Sequence, residues 1–94
     1  MIGKIKLALR VSADQLNEEI EDCIDACYRD MARVGIRVYD ADGNILDKIE
    51  TDGLVISCQK LYARWQFNFE GAAERYRAAY ESTRDAMSLS SDYK

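Results

Sequence analysis

The spacing of apolar residues predicts four helices, of which the second is the longest. Its apolar residues recur at steps of three and four: Leu16, Ile20, Cys23, Ile24, Cys27, Met31 and Val34. This spacing places them on one face of a helix, which we expect over residues 13–34. Ser12 followed three residues later by Gln15 fits a capping box at its start, and Gly35 suits its end.

The flanking segments complete an all-α fold. Near-helical spacing predicts a short first helix over residues 2–9. A third is expected over 53–69, capped by Thr51 or Asp52, and a fourth over 72–88, after a break at Gly71. Residues 89–94 form a polar tail. The sequence therefore predicts one small bundle of three to four helices.

Residues 36–51 lose the helical period and form one long irregular connection. Asp42-Gly43-Asn44 is a turn signal between apolar residues. We favour an exposed loop here, with a short hairpin as the alternative, because an isolated hairpin is marginally stable without a sheet to join.

Composition agrees with a small globular domain and restricts its chemistry. The chain has 94 residues, with 48% hydrophobic and 32% charged. No apolar run is long enough for a membrane span or a signal peptide, so we expect neither a secreted nor a membrane protein. There is no histidine to act as a general base or metal ligand. Three cysteines indicate free thiols in a reducing cytosol.

Three candidate chemical sites are weak. Asp40 to Asn44 resembles the start of a calcium loop, but Ile45 replaces the required glycine and Thr51 the bidentate glutamate. Cys23, Cys27 and Cys58 lack a fourth ligand for a closed zinc site, so core packing is favoured. The carboxylates between residues 18 and 25 are typical of a solvated helix face. We expect no enzyme, no metal and no cofactor.

Charge and aromatic residues point to protein contacts instead. The net charge is −4, and residues 11–30 hold seven acidic residues against Arg29 alone. Tight DNA binding is disfavoured because it needs a concentrated basic face. The aromatic residues of the third and fourth helices leave two interpretations open, core packing or an interface with another protein.

Four segments together resemble the small head–tail connector, or head-completion adaptor, proteins of long-tailed bacteriophages. They are KLALRVS at 6–12, EIEDCIDA at 19–26, the stretch from Leu54 through Tyr62 to Phe69, and ERYRAAYES at 74–82 continuing into LSSDY at 89–93. The last segment is the most distinctive. The chain has Asp52-Gly53 where the family usually has an Asp-Pro pair, and its 36–51 connection is longer.

The resemblance implies an all-α virion protein at the head–tail junction, assembled in the bacterial host cytoplasm. Such proteins form a ring, usually dodecameric, beneath the portal after DNA packaging. They extend the channel through which DNA passes without specific binding, and they present a surface to the next head-completion or tail protein. The expected partners are therefore copies of the chain, the portal protein and that downstream protein.

A ring needs two unlike surfaces that meet between neighbours. We expect acidic residues to supply one and basic residues the other: Glu18, Glu21 and Asp25 against Lys60, Arg64, Arg75 and Arg77. Apolar side chains in the unpatterned segments are expected to contact the portal or a neighbour: Tyr39, Leu46, Leu89 and Tyr93. We expect those segments to be mobile in the free chain. The alternative is a small acidic helical phage regulator that binds a host protein.

Overall fold

The structure, a computed structural model, describes residues 1–94 and contains five α-helices. They are α1 (Ile2–Leu9), α2 (Asn17–Arg33), α3 (Asp47–Thr51), α4 (Gly53–Gln66) and α5 (Ala73–Ser88), with 3₁₀ turns at Phe69–Gly71 and Ser91–Tyr93. The only β pairing is an isolated bridge. The prediction of a small all-α bundle is confirmed, and the predicted first and fourth helices correspond to α1 and α5.

Helix α4 lies at the centre and contacts α1, α2, α3 and α5. Every helix contributes buried side chains to the core around α4. They are Ile5 and Leu9 of α1, residues between Ile20 and Met31 of α2, Ile49 of α3, residues between Val55 and Ala63 of α4, and Tyr80 and Met87 of α5. One polar residue, Gln59, is 1% exposed. Its Nε2 donates to the Ile24 carbonyl of α2 at 3.1 Å, so the buried amide is satisfied where the two helices meet.

The predicted start of α2 is wrong by one turn. The helix begins at Asn17, with Leu16 at the N-cap and no side-chain capping hydrogen bond, so Ser12 and Gln15 form no capping box. The residues before it belong to the exit from α1. Arg10 adopts a left-handed conformation with φ 57° and the Val11 N–H donates to the Lys6 carbonyl. This turn directs the chain away from helical geometry before residue 13.

The predicted end of α2 is confirmed. The Gly35 N–H donates to Ala32, and the Ile36 N–H donates to Met31. Gly35 itself has φ 101°. This pair of hydrogen bonds is the Schellman motif, which satisfies the last carbonyls of a helix and requires a left-handed residue.

The 36–51 connection is not an exposed loop, and it is not a regular hairpin. Ile36, Val38 and Ile49 are buried, while Tyr39 and Ile45 form a single antiparallel bridge. The last five residues of the segment form α3, a helix that the prediction of an irregular connection missed. Ile36 and Val38 alternate with exposed residues, and in an extended segment this spacing of two places both side chains on one face. Both therefore pack against the core without a partner strand.

Helix α4 also ends three residues earlier than the expected residue 69. Asn68 and Glu70 adopt positive φ values of 48° and 54°, and Gly71 has φ 68°. These left-handed residues reverse the chain, and they leave Phe67 and Phe69 half-buried against the core instead of on a helix face.

Asp52 is the cap of α4 and also holds the tail. Its Oδ1 accepts from Leu54 N at 2.8 Å and from Val55 N at 3.0 Å. The Tyr93 hydroxyl donates to the same carboxylate, 3.0 Å from each oxygen. Of the two expected caps, Asp52 is the one used.

We predict that Asp52→Ala lowers the free energy of unfolding by about 1–2 kcal/mol, the usual effect of losing an acidic N-cap. Urea unfolding followed by circular dichroism measures it. Asp42→Ala is the matched control, because the exposed Asp42 contributes only its backbone N–H to the neighbouring turn. Equal midpoints for the two variants would contradict the capping role.

Candidate interaction surfaces

The acidic residues expected at an interface lie on the outer face of α2. Glu18, Glu21 and Asp25 are exposed, and none forms an intramolecular ion pair. Their spacing of three and four residues places them on one stripe of the helix. The structure therefore leaves this carboxylate stripe free to meet a partner.

The basic residues expected to oppose it are partly engaged within the chain. Arg64 Nε donates to the Ala8 carbonyl at 3.2 Å, at the end of α1, where a cation is favoured by the helix dipole. Arg77 Nε lies 3.2 Å from Glu81 Oε1, and its guanidinium also lies 3.8 Å from Glu74 Oε1. Lys60 and Arg75 have no carboxylate partner.

Arginine side chains cover the aromatic residues of α4, α5 and the turn between them. The Arg64 guanidinium lies 5.3 Å from the centroid of the Phe69 ring and 5.7 Å from that of Tyr76. Arg75 also lies over Tyr76, at 5.5 Å, and Arg77 over Trp65, at 5.6 Å. Such stacking is worth about 0.5–1 kcal/mol at exposed sites. This arginine–aromatic surface combines the two residue types most enriched at interface hot spots.

The aromatic residues themselves divide between core and surface. Tyr80 is fully buried, and its ring meets Tyr62 edge-to-face at a centroid distance of 5.1 Å. Tyr62 also meets Trp65 edge-to-face at 5.4 Å, while Tyr62, Trp65, Phe69 and Tyr76 are half-buried. The core interpretation therefore holds for Tyr80, and the half-buried rings leave area for a partner.

A charged network that the sequence did not predict joins α2 to α5. Asp30 Oδ2 accepts from the Tyr80 hydroxyl at 2.7 Å and from Arg84 Nη1 at 2.8 Å. Its other oxygen accepts from Arg33 Nη2 at 2.7 Å. Arg84 also pairs with Asp85. The network is largely shielded from water, with the Arg84 side chain 12% exposed and Asp30 22% exposed.

Hydrogen bonding outweighs burial in setting the charge state of Asp30. Burial alone raises the pKa of this carboxyl, but donation from Tyr80, Arg33 and Arg84 brings the pKa below its ordinary value. The same contact, together with burial, raises the pKa of the Tyr80 hydroxyl. At neutral pH Asp30 is therefore ionised and Tyr80 is a neutral donor.

The residues expected to contact the portal have different environments. Leu89 is 80% exposed, whereas Tyr39, Leu46 and Tyr93 are half-buried. The tail is tied to the 36–51 segment because the Arg37 N–H donates to the Tyr93 carbonyl at 2.7 Å. The mobility expected of both segments stays a prediction, which hydrogen exchange tests.

The structure gives the candidate metal and thiol sites ordinary structural roles. Asp40 Oδ1 accepts from the N–H groups of Asp42 and Asn44, both at 2.9 Å, as an aspartate does within a turn. The three cysteines are buried and unbridged. Burial raises the pKa of Cys23 and of Cys58 to about 11, which keeps them as thiols at neutral pH. No cluster of acidic and thiol side chains is arranged to hold a metal ion.

Comparison of the chain with known protein families, curated proteins and solved structures finds no match. None of the five helices combines the length and apolar character that crossing a bilayer requires.

We predict that the Asp30 network stabilises the fold above about pH 4 and that this contribution is lost as the pH falls through the lowered pKa of Asp30. A carboxyl with a lowered folded-state pKa stabilises above its unfolded pKa, near 3.9. Asp30→Asn should therefore lower the free energy of unfolding by about 1–3 kcal/mol at pH 7. The deficit should shrink below pH 4. Urea titrations from pH 2 to 7 measure it, and a constant deficit would contradict the prediction.

We predict that the tail protects the Arg37 amide from hydrogen exchange. Tyr93→Phe removes the hydroxyl that holds the tail to Asp52, so the Arg37 amide should exchange several-fold faster in the isolated protein, measured by NMR. Tyr76→Phe is the control, because its hydroxyl takes no part in the tail contact. Equal Arg37 exchange rates in the two variants would show that the Tyr93–Asp52 bond does not hold the tail.

Proposed function

We propose that this protein is a structural component of a bacteriophage virion that forms a ring beneath the portal, completes the head after DNA packaging and provides the attachment surface for a tail or stopper protein. One observation carries the proposal: exposed carboxylates occupy α2, whereas stacked arginines and half-buried aromatic rings occupy α4 and α5. A ring is built from such unlike surfaces, each repeated once per subunit.

The energetics of this contact depend mainly on apolar area. Individual exposed ion pairs contribute about 0–1 kcal/mol, so the carboxylate stripe mainly selects orientation and suppresses wrong contacts. The half-buried rings of Trp65, Phe69 and Tyr76 would supply the area removed from water. Because each subunit forms two such contacts in a ring, a contact too weak to hold a dimer can still stabilise the closed assembly.

The charge pattern also suits a channel through which DNA moves. The net charge is −4, and the exposed stripe of α2 is acidic. A DNA-gripping surface would neutralise several phosphates with lysine and arginine. Here Arg64 and Arg77 already contact groups within the chain, which reduces the positive charge free to bind a phosphate backbone. DNA would therefore pass without being held.

We predict that Glu18→Lys combined with Glu21→Lys reduces ring formation on the portal at least ten-fold, because both carboxylates of the proposed contact become cations. The measurement is the amount of protein that co-sediments with purified portal encoded in the same genome, with electron microscopy of the complex. The control reverses two exposed acids outside α2, Asp47→Lys combined with Asp92→Lys, and changes the net charge equally. Unchanged ring formation by the α2 variant would overturn the proposed subunit contact.

The exposed carboxylates of α2 also favour a second candidate, a small acidic phage regulator that binds a host protein. Acidic helices can occupy surfaces that normally bind nucleic acid. The size of the complex separates the candidates: a connector forms a high-order ring on the portal, whereas a regulator forms a small fixed complex with a host factor. A protein that ignores the portal and captures one host protein at a fixed ratio would replace the connector proposal with the regulator.

A further inference from the structure

A groove runs along α2 on the side that faces the 39–50 segment. It consists of two adjoining depressions, of about 600 Å³ and 380 Å³, which share Asp25 and Ile45. Met1 and Ile2 line the smaller depression, and Gly43 and Asn44 line the larger one. We call this the α2 groove.

Half of the residues that line the α2 groove are apolar or aromatic, and three of the others are acidic. Apolar and aromatic side chains line it: Met1, Ile2, Ile24, Tyr28, Tyr39 and Ile45. Glu21, Asp25 and Glu50 add three exposed carboxylates, and Arg29 is the only basic residue in the lining. A complementary occupant therefore carries an apolar side chain with cations close beside it.

A second observation points to a missing contact in the same place. The hydroxyl of Tyr28 is buried and has no hydrogen-bond partner, although the residue lines the groove. An unsatisfied buried hydroxyl is destabilising and is rare in native proteins. Burial and then the nearby Glu50 carboxylate raise the pKa of Tyr28 to about 12, so the hydroxyl remains a donor at neutral pH. The hydroxyl oxygen also accepts hydrogen bonds, so a cationic donor on an occupant would give it a partner after a small adjustment on binding.

The chain itself contains one surface that fits this description. Three large apolar side chains are exposed, Leu7 at 80%, Leu54 at 50% and Leu89 at 80%. Leu54 follows the capping carboxylate Asp52, and Leu89 lies in a tail whose nearest charge is Asp92. Only Leu7 lies in a basic stretch, between Lys4 and Arg10, with no acid in residues 1–10.

Lys4 and Leu7 lie on one side of α1, and Arg10 is the left-handed residue that ends the helix. Lys4 and Leu7 are three residues apart, as are Leu7 and Arg10, and all three are exposed. Lys6, by contrast, pairs with Asp14 at 2.8 Å within the chain. Lys4 and Arg10 form no ion pair with a carboxylate. We call these three residues the α1 ridge.

We propose that the α2 groove binds the α1 ridge of a second copy of this chain, with Leu7 against the apolar lining and Lys4 and Arg10 beside the Glu21, Asp25 and Glu50 rim. Ridge and groove are different surfaces, so the contact is head-to-tail and propagates from copy to copy. The Arg10 guanidinium lies 5.6 Å from the centroid of the Phe69 ring, so the α1 ridge borders the arginine–aromatic surface. The proposal therefore specifies one part of the subunit contact given under the proposed function, and it rests on that function for the closure of such contacts into a ring.

Site-specific cross-linking tests this contact. Leu7→Cys and Glu50→Cys chains of different tag length are mixed at millimolar concentration and treated with a short bismaleimide. The native cysteines are buried and react slowly as thiols. The control replaces Leu7→Cys by Leu89→Cys, whose parent side chain is equally exposed. We expect at least five times more Leu7–Glu50 heterodimer than control heterodimer, and equal yields would overturn the proposal.

Charge exchange then tests the rim. Glu21→Lys with Asp25→Lys in the Glu50→Cys chain should reduce the heterodimer yield at least five-fold. Lys4→Glu with Arg10→Glu in the Leu7→Cys chain should restore at least half of it. Circular dichroism confirms that each variant is folded. A loss that the second exchange does not restore would show that the ridge is not the occupant.

The two proposals fail separately. If the cross-link does not form but the chain still assembles on the portal, the ridge–groove contact is wrong and the connector function stands. If the cross-link forms in free protein that does not bind the portal, the contact is correct and the connector function is wrong.

Discussion

The packing of α4 against all four other helices is the constraint on which the rest of the fold depends. A chain of this size has enough apolar surface for one core, and the central helix turns one face into that core. Val55, Cys58 and Ala63 are therefore buried, and Gln59 is acceptable there only because the Ile24 carbonyl receives its amide. The other helices pack against α4 and keep one face outward, so the exposed charged residues lie outside α4.

Periodicity predicted the bodies of the helices but not their ends. The apolar stripe from Ile20 to Met31 identified α2 because the same face must meet the core over several turns. The start of α2 was predicted wrongly from the capping box at Ser12. The left-handed Arg10 at the end of α1 directs the chain away from helical geometry there, and a local sequence motif does not reveal that conformation. The prediction for segment 36–51 was wrong for a related reason. Ile36 and Val38 alternate over too few residues to indicate that they face the core.

The interaction surfaces were also only partly predictable from the sequence. The carboxylate stripe of α2 was visible in the sequence because residues on one exposed helix face follow a fixed spacing. The contacts of Arg64 with Ala8 and of Arg84 with Asp30 were not, because each joins residues more than fifty positions apart. Sequence position also does not show whether an arginine stacks on a ring. The sequence therefore identified the basic residues, but it did not show which of them contact groups within the chain.

The double role of Asp52 sets the energy needed to release the tail. Undocking residues 89–94 breaks the Tyr93–Asp52 and Arg37–Tyr93 hydrogen bonds, but the Asp52 carboxylate still accepts from the N–H groups of Leu54 and Val55 and caps α4. Two such bonds are worth about 1–3 kcal/mol in water, apart from the area of the Tyr93 ring. A neighbouring molecule that offers comparable contacts could therefore displace residues 89–94 from Asp52 without unfolding α4. The end of the chain would then act as a detachable arm on a fixed body.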